Sequence, residues 1–239
     1  MKKHKKKKLK TIYLVSISSV VIPVIFVLLV LYKPAGIKPG KPITDKQVSL
    51  YLTNVLSPQL YNGVQRQEPF ELVITEDGIN DIISRLNWPM ESDGIWYFTP
   101  KASFKPNRII LSGLAAVKGV EFAVTIAGRP AIDKKGLLNL NVTKVKVGAV
   151  NMTIPAKIIA SKVYASKVNA ETIDANDIKA KIINGLLNNE PFEPVFKIKG
   201  QKIRIEKIAI DNKQLTINFV PALPAFKLDT AIKQIFIKP

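Results

Sequence analysis

Three carboxylates, Glu76, Asp77 and Asp81, fall within six residues of one another. Clustered carboxylates of this kind hold divalent cations or share a proton in glycan hydrolysis. Their setting points elsewhere. They follow Thr75 in "TEDGINDIIS", the opening of a helix, where acidic side chains favour the positive end of the helix dipole. Other acidic residues, such as Asp133 and Asp211, fall in turns. The only histidine is His4 and there is no cysteine. His-based triads, Cys nucleophiles, ordinary zinc sites, disulfides and an acylated cysteine are thereby removed. No GxSxG, P-loop or Rossmann fingerprint occurs. The expectation is a non-enzyme with no catalytic residue, no metal site and no cofactor. The aromatic group Trp88, Trp96, Tyr97 and Phe98 could form a ligand platform or a membrane-interface belt. Standing after a helix, it reads first as core packing.

What positions these residues begins with the first stretch of the chain. "KKHKKKKLK" (2–10) carries seven lysines, and Thr11 to Tyr32 is a run of 22 residues without a charge. As a helix that run spans about 33 Å at roughly 1.5 Å per residue, enough for a hydrocarbon core of about 30 Å. A basic cluster directly before such a span marks the cytoplasmic side. A cleaved signal peptide would have a shorter apolar region and a small-x-small site, which "YKPAGIKPGKP" does not offer. Pro23 is tolerable inside a membrane helix. The organisation expected is a basic cytoplasmic tail (1–10), a transmembrane helix (11–32), a Pro/Gly linker (33–42) and an extracytoplasmic domain (43–239). The chain is thus expected in the cell membrane, single-pass, with its N-terminus in the cytoplasm.

The formal net charge is +18. Of 36 basic residues seven lie in the tail, so 29 face 18 acidic residues in the remainder. That excess suits anionic lipid headgroups or wall polymers as neighbours. Only five basic residues are arginines (Arg66, Arg85, Arg108, Arg129, Arg204), and no basic patch is interleaved with stacking aromatics. Nucleic acid is therefore not an expected partner.

Within the domain, Thr44 and Gln47 read as a capping box opening a helix with Val48, Tyr51, Leu52 and Val55 on one face. "FELVITEDGINDIISRLNWP" predicts a strand at 70–74 and a helix started by Thr75. From Ile95 the period becomes two, with turns at "PN" (106–107), Gly119 and "DKKG" (133–136), predicting an antiparallel meander. Leu140, Val142, Val145, Val147 and Ile203, Ile205, Ile208, Ile210 each alternate, skip one residue, and resume in opposite phase. A β-bulge produces that slip. Each is followed by a turn, a further strand ("NMTI", "QLTINFV") and Pro-Ala, with the offset drifting from 63 to 66 residues. Between them, Pro155 and Asp174 open one or two helices, ended by Gly185 and the Asn188, Asn189 pair. The fold class expected is α+β: an N-terminal transmembrane helix, then a curved, mostly antiparallel sheet packed against one to three helices.

The anchor, "FELVITEDGIND", "LNLNVTKVKVGAVNMTIPA" and "KIRIEKIAIDNKQLTINFVP" together resemble the YpmS-like family of bacterial single-pass membrane proteins. More distantly they are similar to TULIP-like lipid-binding domains. The resemblance covers the anchor and roughly residues 119–221. It implies a long curved sheet wrapped about a helix, leaving an apolar groove, and it implies no catalytic residues. A bent sheet with one apolar face needs a cover, and the helices here are few and rich in Ala and Lys. An incomplete cover leaves a site for an acyl chain, with Val142, Val145, Ile205 and Ile208 as candidate lining. The function expected is binding of a lipid or other amphipathic envelope molecule. The alternative is a non-catalytic anchored accessory or interaction subunit of a cell-envelope assembly. The topology has a direct check: a reporter that works only outside the cytoplasm, fused after Pro239, should be active. A signal from a cytoplasmic reporter alone would overturn the orientation.

Overall fold

A computed structural model describes residues 19, 21–35, 37, 47–170 and 178–222. Helix α1 covers residues 21–31. The basic tail and residues 11–18 and 20 of the expected span lie outside the described residues, and no helix among the described residues is long and apolar enough to cross a membrane. Thr44 of the expected capping box lies outside them as well, and residues 47–49 are not helical. The next helix, α2, starts after Ser49, whose Oγ accepts from the Leu52 N–H at 3.1 Å. It opens with a π-helical turn, Leu52–Leu56, and continues as Ser57–Arg66, with Pro58 just past the junction of the two.

Strand β1 (Phe70–Thr75) runs into α3 (Glu76–Ser84), and Thr75 caps that helix by accepting from the Gly78 N–H at 3.1 Å. A short hairpin follows, β2 (Met90–Ser92) and β3 (Ile95–Tyr97), and then the meander β4 (Lys101–Lys105), β5 (Arg108–Val117), β6 (Val120–Ile132), β7 (Leu138–Val147) and β8 (Val150–Asn151). Helices α4 (Thr153–Ala170) and α5 (Ile178–Asn188) precede β9 (Val195–Ile198), β10 (Gln201–Asp211) and β11 (Gln214–Pro221). Asp174 lies outside the described residues, and Gly185 is inside α5, which ends at Asn188 with Asn189 left-handed.

The α+β class and the antiparallel pairing hold, but the single curved sheet does not. There are two sheets, ordered β1-β11-β10-β9 and β2-β3-β5-β6-β7-β8 with β4 also on β5, and neither is closed or curled. Five helices, α1 to α5, are among the described residues, where one anchor and one to three packing helices were expected. The separation has a chain-level cause. The α4–α5 insert stands between the two bulged strands and sends them to different partners, β7 to β6 and β10 to β11. The bulges themselves are where the phase slips put them. Thr143 is the extra residue of β7 and Glu206 that of β10, 63 residues apart. The echo then fails: of "NMTI" only Asn151 is in a strand, the two-residue Val150–Asn151, and its side chain accepts from the Thr153 N–H at 3.1 Å, where α4 starts.

Two apolar clusters hold the four-stranded sheet. Val64 of α2 meets Leu72, Ile203, Ile205 and Phe219, and Phe104 meets Ile210 and Leu215. The second cluster crosses between the sheets, since Phe104 belongs to β4. A polar clamp fixes that junction. Strand β4 pairs only with β5, so its other edge has backbone groups to satisfy. The Asn80 side chain takes two of them, accepting from the Ala102 N–H and donating to the Ala102 carbonyl, each at 2.8 Å. Glu76 accepts from the Phe104 N–H at 2.8 Å. Glu76 and Asn80 stand four apart on α3, one turn, and so reach alternate residues of one strand.

Asp81 does a third job. Its carboxylate accepts from the Ser49 hydroxyl and from Arg85 Nε (3.0 Å), tying the start of α2 to α3. Tyr51 adds to this tie, donating to the Val73 carbonyl at 3.3 Å and accepting from the Thr75 N–H at 3.0 Å. Gly78 is required beside it, because a Cβ there would collide with the Tyr51 ring.

Replacing Asn80 with Leu should orphan the buried Ala102 N–H and carbonyl at about 1–3 kcal/mol each. Glu76→Gln, which keeps an acceptor oxygen, should cost far less; urea melts of the two variants check the contrast. The Ser49 hydroxyl and then Arg85 hold the Asp81 carboxyl below its ordinary value, against the opposing pull of burial. A carboxyl lowered by folding adds stability that is complete above its unfolded-chain value and lost as pH falls through the folded one. The stability gap between the parent and Asp81→Asn should therefore be widest near neutrality and shrink below about pH 4, read from urea midpoints across pH.

Candidate functional site

Register decides which side chains of the seven-stranded sheet share a face. Met90 pairs with Tyr97, Tyr97 with Ala115, Leu111 with Ile126, Gly113 with Val124, and Ile126 with Val145. Directly paired residues point the same way and alternate residues follow them, so these side chains make one apolar face. The opposite face carries Glu121, Thr125, Arg129, Lys144 and Lys146 among the small buried Ala116, Ala123 and Ala127.

Toward β4 the apolar face is covered, because Phe104 and Ile109 pack into the inter-sheet cluster. In the middle it is open. Met90, Tyr97, Leu111 and Ile126 remain 38–40% exposed. The concavity arises from a break in the strand beside β5. Strands β3 and β4 pair with successive stretches of the same side of β5, Ala115–Val117 and Arg108–Ser112. Between them the chain at Phe98–Pro100 crosses Gly113, where even a Cβ would crowd Pro100. The Phe98 N–H donates to the Leu114 carbonyl at 3.0 Å and fixes the crossing. Trp88 forms a wall, its Nε1–H donating to the Ile83 carbonyl at 2.7 Å at the end of α3. The resulting groove has a volume of about 270 Å³ and is lined chiefly by Trp88, Met90, Tyr97, Leu111, Val124 and Ile126.

No carboxylate, amine or imidazole lines this groove; Ser112 and Tyr97 provide its hydroxyls. Its lining is otherwise apolar and suits an apolar chain. At about 270 Å³ it lies at the lower edge of the roughly 300–1,000 Å³ of small-molecule sites, so it fits part of one acyl chain and not a whole lipid. The carboxylates Glu76 and Asp81 are committed to the Phe104 N–H and to Ser49 and Arg85.

The four residues taken from the bulge pattern do not line one cavity. Val142 and Val145 are half-buried on β7, beside the groove but not in its wall, with Val145 opposite Ile126. Ile205 is core, paired with Phe219, and borders a separate cavity of about 590 Å³ with Leu60, Leu72 and Phe196. Ile208 packs into both clusters of the four-stranded sheet. The bulges signalled bending, but not which sheet each strand would join. The residues that do form the groove carried two weaker signals. One is "WYF", where strict alternation cannot turn all three side chains inward, and here Trp96 and Tyr97 are both exposed rather than packed in the core. The other is Gly113 inside a strand, a mark of close backbone approach. Compared with known proteins, the chain matches no family model, no curated protein and no solved structure.

Proposed function

We propose that this chain is a membrane-anchored, extracytoplasmic binding protein that holds an acyl chain of a lipid or other amphipathic envelope molecule in the groove of the seven-stranded sheet. The observation that carries the reading is the open concavity in an apolar face that is covered only toward β4. A sheet that covers this face toward β4 and leaves Met90, Tyr97, Leu111 and Ile126 exposed around a concavity keeps about 0.8 kcal/mol available per methylene it shelters. The anchoring part rests on the lysine tail, the uncharged run at 11–32 and the exposed apolar side chains of α1. The resemblance to YpmS-like and TULIP-like domains implies the same class of ligand. No group in the groove supports catalysis, and the reading is of a binder, not an enzyme.

The test uses the full chain in vesicles carrying a phospholipid with a photoactivatable acyl chain. Cross-links should map to peptides of β3, β5 and β6. Leu111→Lys should reduce them strongly while changing stability by no more than about 0.5 kcal/mol, because the site is exposed. Val124→Trp should also reduce them, since it fills the groove. Were the groove fully packed, the same change would instead cost about 1–3 kcal/mol. Absence of acyl cross-links in the parent, with a protein cross-linked at the same residues in native membranes, would replace this reading with the anchored accessory subunit.

A further inference from the structure

Helix α1 presents apolar side chains on every side. Ile22 and Leu28 are each 64% exposed, and Val24, Ile25, Phe26 and Val27 about half exposed. Such a helix is unstable in water and belongs in an apolar medium. Its C-terminal end is bonded to the domain. The Leu29 carbonyl, one of the last four of the helix and so without an intrahelical partner, accepts from the Ala149 N–H at 2.8 Å. Gly148 makes this approach possible. It has φ +60° and its missing Cβ would overlap the backbone of Leu29 and Val30. Lys33, just past the helix, pairs with Glu121 at 2.7 Å.

These contacts gather at one end of the seven-stranded sheet. The turns at Asp93–Gly94, Lys118–Gly119 and Gly148–Ala149 all lie there, because Ile95 pairs with Val117, Val117 with Val120, and the Gly148 N–H bonds to Ala123. The same end carries exposed Trp96, Tyr97 and Val120. Trp and Tyr with one apolar and one polar end are the residues of membrane interfaces. From Val120 the apolar face continues through Phe122 to Val124 and Ile126, which line the groove about 13–20 Å along β6.

We infer that the domain stands with this turn end on the bilayer, Val120 and Tyr97 in the interface, so that the groove opens onto the leaflet on the domain's side and takes its acyl chain from the membrane without passing through water. The inference rests on the anchored-binder reading and specifies how the site is loaded. The Leu29 and Lys33 contacts hold the C-terminal end of α1 against the domain.

The chain lacks cysteine, so single labels are clean. Val120→Cys and, at the opposite end of β6 about 40 Å away, Lys134→Cys would each carry an environment-sensitive fluorophore in the full-length protein. The vesicles would be equal parts phosphatidylcholine and phosphatidylglycerol with a lipid-borne quencher. Quenching from the lipid should be several-fold stronger at Val120 than at Lys134, with the reverse for aqueous iodide. Adding Gly148→Val, or Glu121→Lys as a milder change, should weaken the contrast by prising the turn from α1. Equal iodide quenching at the two positions would overturn the inference even if the groove still cross-links acyl chain. Deep burial of Val120 without acyl cross-links would support the docking and sink the lipid-binding reading instead.

Discussion

Everything in the arrangement of the two sheets depends on how one strand edge is satisfied. Strand β4 lies where the sheets meet, and its residues Ala102 and Phe104 are each only 2% exposed. Backbone groups buried at such an edge need partners, and no further strand supplies them. Glu76 and Asn80 supply three of them from α3, which is itself set by β1 and capped by Thr75, and the Lys213 N–H of the β10–β11 turn donates to the Phe104 carbonyl at 3.2 Å. The helix therefore does two things at once: it closes the edge of one sheet and is carried by the edge of the other. Phe104 then inserts beside Ile210 and Leu215, and the Asn107 N–H reaches the Ile210 carbonyl at 2.9 Å.

The groove follows from this junction. With β4 fixed against α3 and β3 drawn into a hairpin with β2, the chain at Phe98–Pro100 must cross β5 without pairing fully with it. Gly113 gives it room. Thr99 is buried there at 3% exposure, while Tyr97 and Leu111 on either side stay open. The concavity is thus the space left where two short strands share one long partner, and its walls are apolar because that face is continuous with the inter-sheet core. Its opposite face is built from small buried alanines and charged side chains, so the two faces of the sheet differ sharply in polarity.

Helix α1 belongs to the same argument. Its Leu29 carbonyl and the Ala149 N–H answer each other's hydrogen-bonding need, and Gly148 permits the approach. The Lys33–Glu121 pair adds a second contact just past the helix, so the end of α1 is held to the domain at two places.

The sequence by itself determined what is local. Period-two alternation located the strands of the meander, Thr75 marked the start of α3, and the phase slips placed bulges between Val142 and Val145 and between Ile205 and Ile208, because each of these is settled within a few residues of chain. It also removed thiol chemistry and disulfides, since the chain has no cysteine. The beginning of α2 was misjudged: Thr44 gave the better local cap, but Ser49 is also bonded to Asp81, a contact no local rule contains. Tertiary structure alone decided that β7 and β10 join different sheets, that Ile205 and Ile208 are core, and that Glu76 closes a strand edge besides standing at a helix N-terminus. It also decided that Tyr97, Leu111 and Ile126 surround an open groove. Strand pairing and the cover over a face are set by partners tens of residues distant, and a strand's own pattern states only which side is apolar, never what that side will meet.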